Sequence, residues 1–208
     1  MGKTKIYFVF TDTGTNLSKI INYFTKQSLN HVSLAFDVDL TEVYSFGRKH
    51  PKNPFSGGFV REDIRSDFLR NAKCAIYSFE VTKTECEAIL KSIQKVEKNQ
   101  DDYKYNFLGL IGVLFKIRIH RKRAFFCSEF VATMLSNTQT IQLSKPTYFV
   151  TPFDIRSQLG LKLIYEGKLG DYRREFIIEE NKLIKDSIAP KQSFVLYISQ
   201  KVKRFVIR

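Results

Sequence analysis

The stretch from residue 31 to residue 46 reads HVSLAFDVDLTEVYSF. Residues 31–36 and 42–46 are rich in β-branched and aromatic side chains, and the polar run Asp37-Val38-Asp39 separates them. Two such runs joined by a polar turn predict a β-hairpin, which pairs its strands antiparallel. We therefore expect an antiparallel sheet at the centre of the fold.

Strand and helix patterns alternate on both sides of this hairpin. Apolar, β-rich runs predict further strands at residues 6–10, 74–81, 161–166, 175–179 and 193–199. Apolar side chains at helical spacing predict helices over 17–24, 82–96 and 127–135, and a Thr-Pro-Phe-Asp sequence predicts a helix start at 151–154. The first helix is expected to pack on the sheet. These elements predict an α+β fold, an antiparallel sheet or partial barrel packed against helices.

Two further segments are predicted, the first from its turn residues and the second from its length. Residues 48–60 contain two prolines and the pair Gly57-Gly58, a composition that predicts a loop. Residues 105–115 are apolar but too few to cross a bilayer, which needs about 20 residues, so they predict a buried or surface-lying helix. With 208 residues and no internal repeat, a single domain over residues 1–208 is expected.

The amino-acid composition indicates which cellular compartment and which kinds of partner to expect. The net charge of +13 favours attraction to polyanions such as anionic lipid, nucleic acid or acidic polymers, although charge alone names none of them. Three cysteines argue against a disulfide framework and against a four-cysteine zinc site. The N-terminal apolar run is too short for a secretory signal, so a reducing, cytoplasmic location without metal or cofactor is expected.

Cys127 lies at the predicted start of the helix over 127–135. The unpaired N–H groups and the positive end of the dipole at a helix start favour a thiolate, and they also suit the oxyanion of a tetrahedral intermediate. Cys74 and Cys86 fall inside a predicted strand and on the apolar face of a predicted helix, where cysteine behaves as a small hydrophobe. Burial in the core is the alternative role for Cys127 as well.

A catalytic cysteine needs a base, and the chain has three histidines. His31 begins a predicted strand, which is a rigid support. His50 lies in the predicted loop and His120 lies in the basic run from Lys116 to Arg123, where a solvated or polyanion-facing role is expected. His31 is therefore the candidate base.

The order of these motifs resembles a known family. His31-Val32-Ser33-Leu34, then Val43-Tyr44-Ser45-Phe46-Gly47, and much later Phe126-Cys127-Ser128-Glu129, is similar to the circularly permuted NlpC-type papain-like cysteine hydrolases. In that branch, which includes YiiX-like proteins and the lecithin retinol acyltransferase group, the histidine strand precedes the cysteine helix. The resemblance covers residues 4–166 and implies a permuted papain-like fold.

The resemblance also implies the remaining site residues. The third polar residue, which orients the histidine, falls on Ser45, although the family places a stronger hydrogen-bonding side chain there. Glu42 is the alternative, but strand alternation points it to the opposite face. Tyr103 and Tyr105 resemble tyrosines that the family places near the cysteine. With Ser128, they are candidates for oxyanion or substrate contacts; aromatic packing and a helix-start preference are the alternatives.

These residues predict a thiol hydrolase or acyltransferase that acts on an amide or ester through an acyl-enzyme. The substrate could be an acidic or peptide-like amide, or a lipid acyl chain. The rival hypothesis is a non-catalytic, basic binding module for a membrane surface or nucleic acid. Peripheral contact with anionic membrane is suggested by the basic, apolar segment 201–208, whereas no nucleic-acid-binding signature is found.

Overall fold

The structure is a computed structural model that describes residues 2–14, 16–48, 57–115, 117, 119 and 121–172. The chain divides into two compact units, Met1–Gly170 and Asp171–Arg208. All strands and helices named here lie in the first unit. The single domain over residues 1–208 stays a prediction, because residues 173–208 lie outside the described residues. Also outside them are the strands expected at 175–179 and 193–199, and the segment 201–208 for which peripheral membrane contact was expected.

The first unit is built on a six-stranded antiparallel sheet in the order β4-β3-β2-β1-β5-β8. A short parallel pair, β6 with β7, forms a second sheet of its own. The described strands are β1 (Lys3–Asp12), β2 (His31–Ala35), β3 (Val43–Arg48), β4 (Gly57–Arg61), β5 (Lys73–Thr82), β6 (Lys104–Tyr105), β7 (Ala124–Phe125) and β8 (Lys162–Lys168).

The hairpin predicted from residues 31–46 is confirmed. β2 pairs antiparallel with β3 in a register that sets Leu34 opposite Tyr44. The carboxylate of Asp37 closes the turn by accepting bonds from the backbone N–H groups of Thr41 and Glu42. The α+β class with an antiparallel sheet is therefore correct.

The loop predicted over residues 48–60 is wrong at its C-terminal end. Gly57–Arg61 forms β4 and pairs antiparallel with β3. Glycine is unfavourable in an isolated strand, but Phe59 is 3% exposed and packs against Phe46, so core burial stabilises this strand despite its glycines. The shift matters for the site, because Glu62 follows this strand directly.

Five α-helices of the described residues accompany the sheet, and none of them is long and apolar enough to cross a membrane. α2 begins with a capping box in which Thr82 and Glu85 bond to each other's backbone. The helices are α1 (Asn16–Thr25), α2 (Lys83–Lys98), α3 (Phe107–Phe115), α4 (Cys127–Leu135) and α5 (Pro152–Arg156).

The core lies between the sheet and two of these helices. α4 packs across β2 and β3, and α2 packs on β1 and β5. Phe130 of α4 is fully buried, and its ring lies 5.4 Å from that of Phe46 on β3. Burial of one such side chain is worth about 1.5 to 3 kcal/mol. This packing keeps the first turn of α4 next to β2.

The helix predicted over residues 17–24 is confirmed as α1, but its predicted packing is not. Ile20 and Phe24, which were expected to face the sheet, are 52% and 58% exposed. Phe24 contacts Phe115 of α3 at a ring distance of 6.4 Å. An apolar surface on α1 and α3 is therefore left open to solvent.

Candidate active site

A charged hydrogen bond lies at the start of β2. The Nε2 atom of His31 is 2.6 Å from a carboxylate oxygen of Glu62, and both side chains are mostly buried, with 18% and 8% of their surface exposed. The two residues are 31 positions apart in sequence. Sheet pairing brings them together, because the backbone N–H of Glu62 bonds the carbonyl of Val43 on β3. Glu62 is thus the direct partner of the imidazole.

Two serine hydroxyls hold Glu62 in place. Ser33 of β2 donates to one carboxylate oxygen at 2.6 Å, and Ser45 of β3 donates to the other at 2.5 Å. Ser45, the sequence candidate for orienting the histidine, therefore acts on Glu62, which in turn bonds the ring. Glu42, the alternative, is solvent-exposed. Sequence patterns did not point to Glu62, because the strand that precedes it, β4, was predicted as a loop.

The electrostatic environment favours the charged forms of both His31 and Glu62. Burial works against a charged imidazole, but the Glu62 carboxylate and the Cys127 side chain together raise the pKa of His31 well above its usual range. Burial alone would raise the pKa of Glu62, yet the nearby His31, Ser33 and Ser45 lower it. An imidazolium facing a carboxylate is therefore the expected state near neutral pH.

Cys127 is the first residue of α4, as the helical pattern predicted. The first bond within the helix runs from the Phe130 N–H to the Phe126 carbonyl, so the N–H groups between them have no acceptor inside the helix. Cys127 and His31 line one cavity, and the charge and hydrogen bonding of Cys127 act on the His31 ring. Since Glu62 occupies Nε2, Nδ1 is the ring nitrogen left for a bond with the Cys127 side chain.

A polar network positions the backbone just before His31. The sulfur of Cys127 lies 3.9 Å from the carbonyl oxygen of Asn30. The Asn30 amide donates to the carbonyl of Ser18 and to the side chain of Asn22, each at 2.8 Å. Ser18 and Asn22 both bond the carboxylate of Asp12 at the end of β1. These bonds tie α1 to the strand that carries His31.

The three candidates for oxyanion or substrate contact have different environments. Tyr105 lines the cavity of Cys127 and packs so tightly on Gly57 that a side chain there would displace it. Tyr103 stacks on Phe125 at 5.7 Å and packs beside the core. The hydroxyl of Ser128 donates to the Val150 carbonyl at 2.6 Å. Tyr105 is thus the one of these three whose side chain forms part of the wall around the sulfur and the imidazole.

The other two cysteines, Cys74 and Cys86, are free thiols like Cys127, and each packs within the fold. Cys74 is buried in β5, and burial raises the pKa of its thiol to about 12. Cys86 is half-buried on α2, and burial raises its pKa as well. His50 and His120 lie outside the described residues. Within the described part of the chain, no cluster of histidine, cysteine and acidic side chains is arranged to hold a metal ion.

Cys127 belongs to the lining of two cavities. The first, of about 270 Å³, is lined by His31, Glu62 and Tyr105 among others. The second, of about 300 Å³, lies between α1, α3 and the start of α5 and includes Val113 and Phe153. Cys127 lines both cavities. The residue itself is only 5% exposed.

A buried acid lies two residues beyond Cys127. Glu129 is 2% exposed, accepts a bond from the Asn106 amide at 3.3 Å, and also accepts from the backbone N–H of Phe126. Asn106 in turn bonds the backbone N–H of Gly109 in the first turn of α3. Burial raises the pKa of Glu129 from its ordinary 4.5 to about 7, against the effect of these hydrogen bonds. The side chain links the starts of α3 and α4.

Glu129 makes stability depend on pH in a defined direction. A carboxyl group with a raised folded-state pKa binds more protons in the folded chain than in the unfolded chain between pH 4.5 and about 7, so its contribution is lost as the pH rises through that range. We expect the free energy of unfolding to fall by roughly 2 to 4 kcal/mol more in the wild type than in Glu129→Gln across this interval. Urea unfolding at pH 5 and pH 7.5 measures the difference. The exposed-site variant Glu80→Gln is the control, and equal losses in wild type and Glu129→Gln would contradict the expectation.

No family model, no curated protein and no solved structure matches this chain.

Proposed function

We propose that this chain is a cysteine-dependent hydrolase or acyltransferase of the permuted papain-like kind, which acts on an amide or ester bond through an acyl-enzyme. One observation carries the proposal. Cys127 begins a helix beside the His31 ring, and the far nitrogen of that ring is bound at 2.6 Å to buried Glu62. A nucleophile, a base and a group that orients the base form the arrangement that covalent catalysis needs.

The chemistry follows from this arrangement. His31 accepts the Cys127 proton, and the thiolate attacks the carbonyl carbon and forms a carbon–sulfur bond. The backbone N–H of Cys127 donates to the resulting oxyanion. As the carbonyl re-forms, the leaving nitrogen or oxygen departs with the proton from His31. Water or an amine, deprotonated by His31, then attacks the thioester and returns the free thiol.

Glu62 supports these proton transfers. Its carboxylate fixes the ring orientation and stabilises the imidazolium that exists between them. The hydroxyls of Ser33 and Ser45 hold the carboxylate, as the hydrogen bonds to both of its oxygens indicate. The negative charge of Glu62 thus favours the positively charged form of His31.

Alkylation by iodoacetamide at pH 6 tests the proposal, with labelled residues mapped by peptide mass spectrometry. In the wild type we expect Cys127 to label faster than Cys86, although Cys127 is the more buried of the two. His31→Gln is expected to slow labelling of Cys127 by about tenfold or more, since the thiolate loses its cationic partner. Cys127→Ala should remove the fast phase.

Labelling rates that are alike in wild type and His31→Gln would oppose the proposal. The non-catalytic, basic binding module would then be the better hypothesis. Its own signature is salt-sensitive binding to anionic vesicles or duplex nucleic acid that is unchanged in Cys127→Ala.

A further inference from the structure

The buried side chain of Glu129 has no part in the proposed proton transfers, yet it lies in the first turn of the helix that begins at Cys127. It is 2% exposed, and burial raises its pKa to about 7. Ionisation of a carboxyl group in this state lowers the stability of the fold, whereas a glutamine of the same size carries no such cost. A polar side chain whose charge opposes folding points to a role in function.

Three hydrogen bonds surround the peptide group between Phe125 and Phe126. Its carbonyl accepts from the backbone N–H of Asn106 at 2.8 Å, and its N–H donates to the carboxyl group of Glu129. The side-chain amide of Asn106 closes the ring, because it donates to the same carboxyl group at 3.3 Å. The next peptide group along the chain is the one whose N–H belongs to Cys127.

Asn106 is itself held in one orientation. Its side-chain oxygen accepts from the backbone N–H of Gly109 at 2.9 Å, which leaves its nitrogen to face Glu129. Asn106 is fully buried, and a side chain in place of Gly109 would clash with the Asn106 amide, so the backbone of α3 packs directly on this group. The start of α3 therefore supports the three hydrogen bonds.

The oxyanion of a tetrahedral intermediate requires a donor within a narrow range of distance and angle. In the proposed mechanism this donor is the N–H of Cys127, which has no acceptor inside α4. We propose that Glu129 is a positioning residue for acyl transfer, because it holds the peptide group before Cys127 against the start of α3 and so directs the Cys127 N–H. The inference rests on the proposed function and adds one residue to its site.

Glu129 is placed to act through the backbone and not on a substrate. It is absent from the described linings of the two cavities that Cys127 lines. The Asn106 amide and the Phe126 N–H are both donors, so the carboxyl group serves each of them as an acceptor. Hydrogen bonds to an ionised acceptor are the stronger ones, and a neutral amide supports the same backbone less well.

Two reactions of the same sulfur test this role in Glu129→Gln at pH 7.5. Acylation by p-nitrophenyl acetate, followed as single-turnover release of p-nitrophenolate, passes through an oxyanion, whereas alkylation by iodoacetamide at a saturated carbon does not. Since glutamine has one acceptor atom for two donors, we expect acylation to slow by about 10- to 100-fold. Alkylation of Cys127 should stay within about threefold of the wild type or become faster, because loss of a nearby negative charge favours the thiolate.

Glu85→Gln is the matched control. Glu85 is the third residue of α2, as Glu129 is of α4, and its carboxylate accepts from the backbone N–H of Thr82 just before that helix. It is absent from the described linings of both cavities. Glu85→Gln should leave the ratio of the acylation rate to the alkylation rate unchanged. Urea unfolding at pH 7.5 should show that Glu129→Gln keeps a free energy of unfolding close to that of the wild type.

The outcomes separate this inference from the proposed function. If Cys127 is acylated equally fast in wild type and Glu129→Gln, the positioning role is overturned and the hydrolase is left intact. Equal slowing of acylation and alkylation in Glu129→Gln, or an equal fall of their ratio in Glu85→Gln, also overturns it, because a general loosening of the fold would account for either result. If intact mass shows no acyl group on wild-type Cys127, both proposals are overturned.

Discussion

Replacing Cys127 with alanine is expected to lower kcat/KM for an ester substrate by about 10⁴-fold or more, because loss of the nucleophile removes the acyl-enzyme route altogether. The measurement is p-nitrophenolate release, with intact mass to detect the acyl-enzyme. In the proposed mechanism Cys127 forms the bond to the carbonyl carbon, and this residue lines both cavities. Removal of one sulfur atom should leave the fold in place, since Phe130, Val131 and Ala132 of α4 keep their places in the core.

Two comparisons sharpen this expectation. Cys86→Ala, on α2, changes a half-buried thiol away from the site and should keep wild-type activity. His31→Gln should cost nearly as much as Cys127→Ala, and the double variant should be little worse than either, because residues that act as one unit are not additive. Activity of Cys127→Ala within tenfold of the wild type would contradict the mechanism.

Replacing Glu62 with glutamine is the second large effect. Glutamine keeps the size of the side chain and a hydrogen-bonding oxygen near His31, but it removes the charge that stabilises the imidazolium. We expect kcat/KM to fall by about 10³-fold. The side chain is only 8% exposed and accepts bonds from His31, Ser33 and Ser45, so water is poorly placed to substitute for it.

The same variant should change the pH profile in a known direction. Glu62 raises the pKa of His31 against the opposing effect of burial. Without the carboxylate, burial is opposed by the sulfur alone and the pKa of His31 drops. The descending limb of kcat/KM, where the imidazolium is lost as pH rises, should therefore move to lower pH in Glu62→Gln.

Ser45→Ala distinguishes Glu62 from the serine that supports it. This variant removes one of the hydrogen bonds to the carboxylate and should cost about tenfold or less. Glu80→Gln, a carboxylate on β5 with 45% of its side chain exposed, is the charge control. If Ser45→Ala cost as much as Glu62→Gln, the serine would have to act on the histidine directly, and the assignment of Glu62 as the orienting group would be wrong.

Local patterns predicted most of the fold because they depend on neighbours in sequence. The hairpin from 31 to 46 needed only two β-rich runs and a polar turn, and the helix that begins at Cys127 needed only its apolar spacing. The loop assignment at 57–60 was wrong for the opposite reason. Gly57 and Gly58 have no local preference for a strand, and pairing with β3 decides their conformation.

The apolar face of α1 shows the same limit. Its spacing predicts a helix with a buried side, and periodicity cannot say what covers that side. In the structure Ile20 and Phe24 remain largely exposed and Phe24 meets Phe115 of α3. Burial is a property of the assembled fold, so an amphipathic pattern is equally compatible with a core, a groove or an open surface.

Sequence alone determined the α+β class and the start of a helix at Cys127, since each depends on residue type and short-range spacing. Tertiary structure alone decided the partner of the histidine. Glu62 reaches His31 across 31 residues because β2, β3 and β4 are paired side by side. A hydrogen bond of that kind depends on strand register, and register is set by which side chains the whole sheet buries.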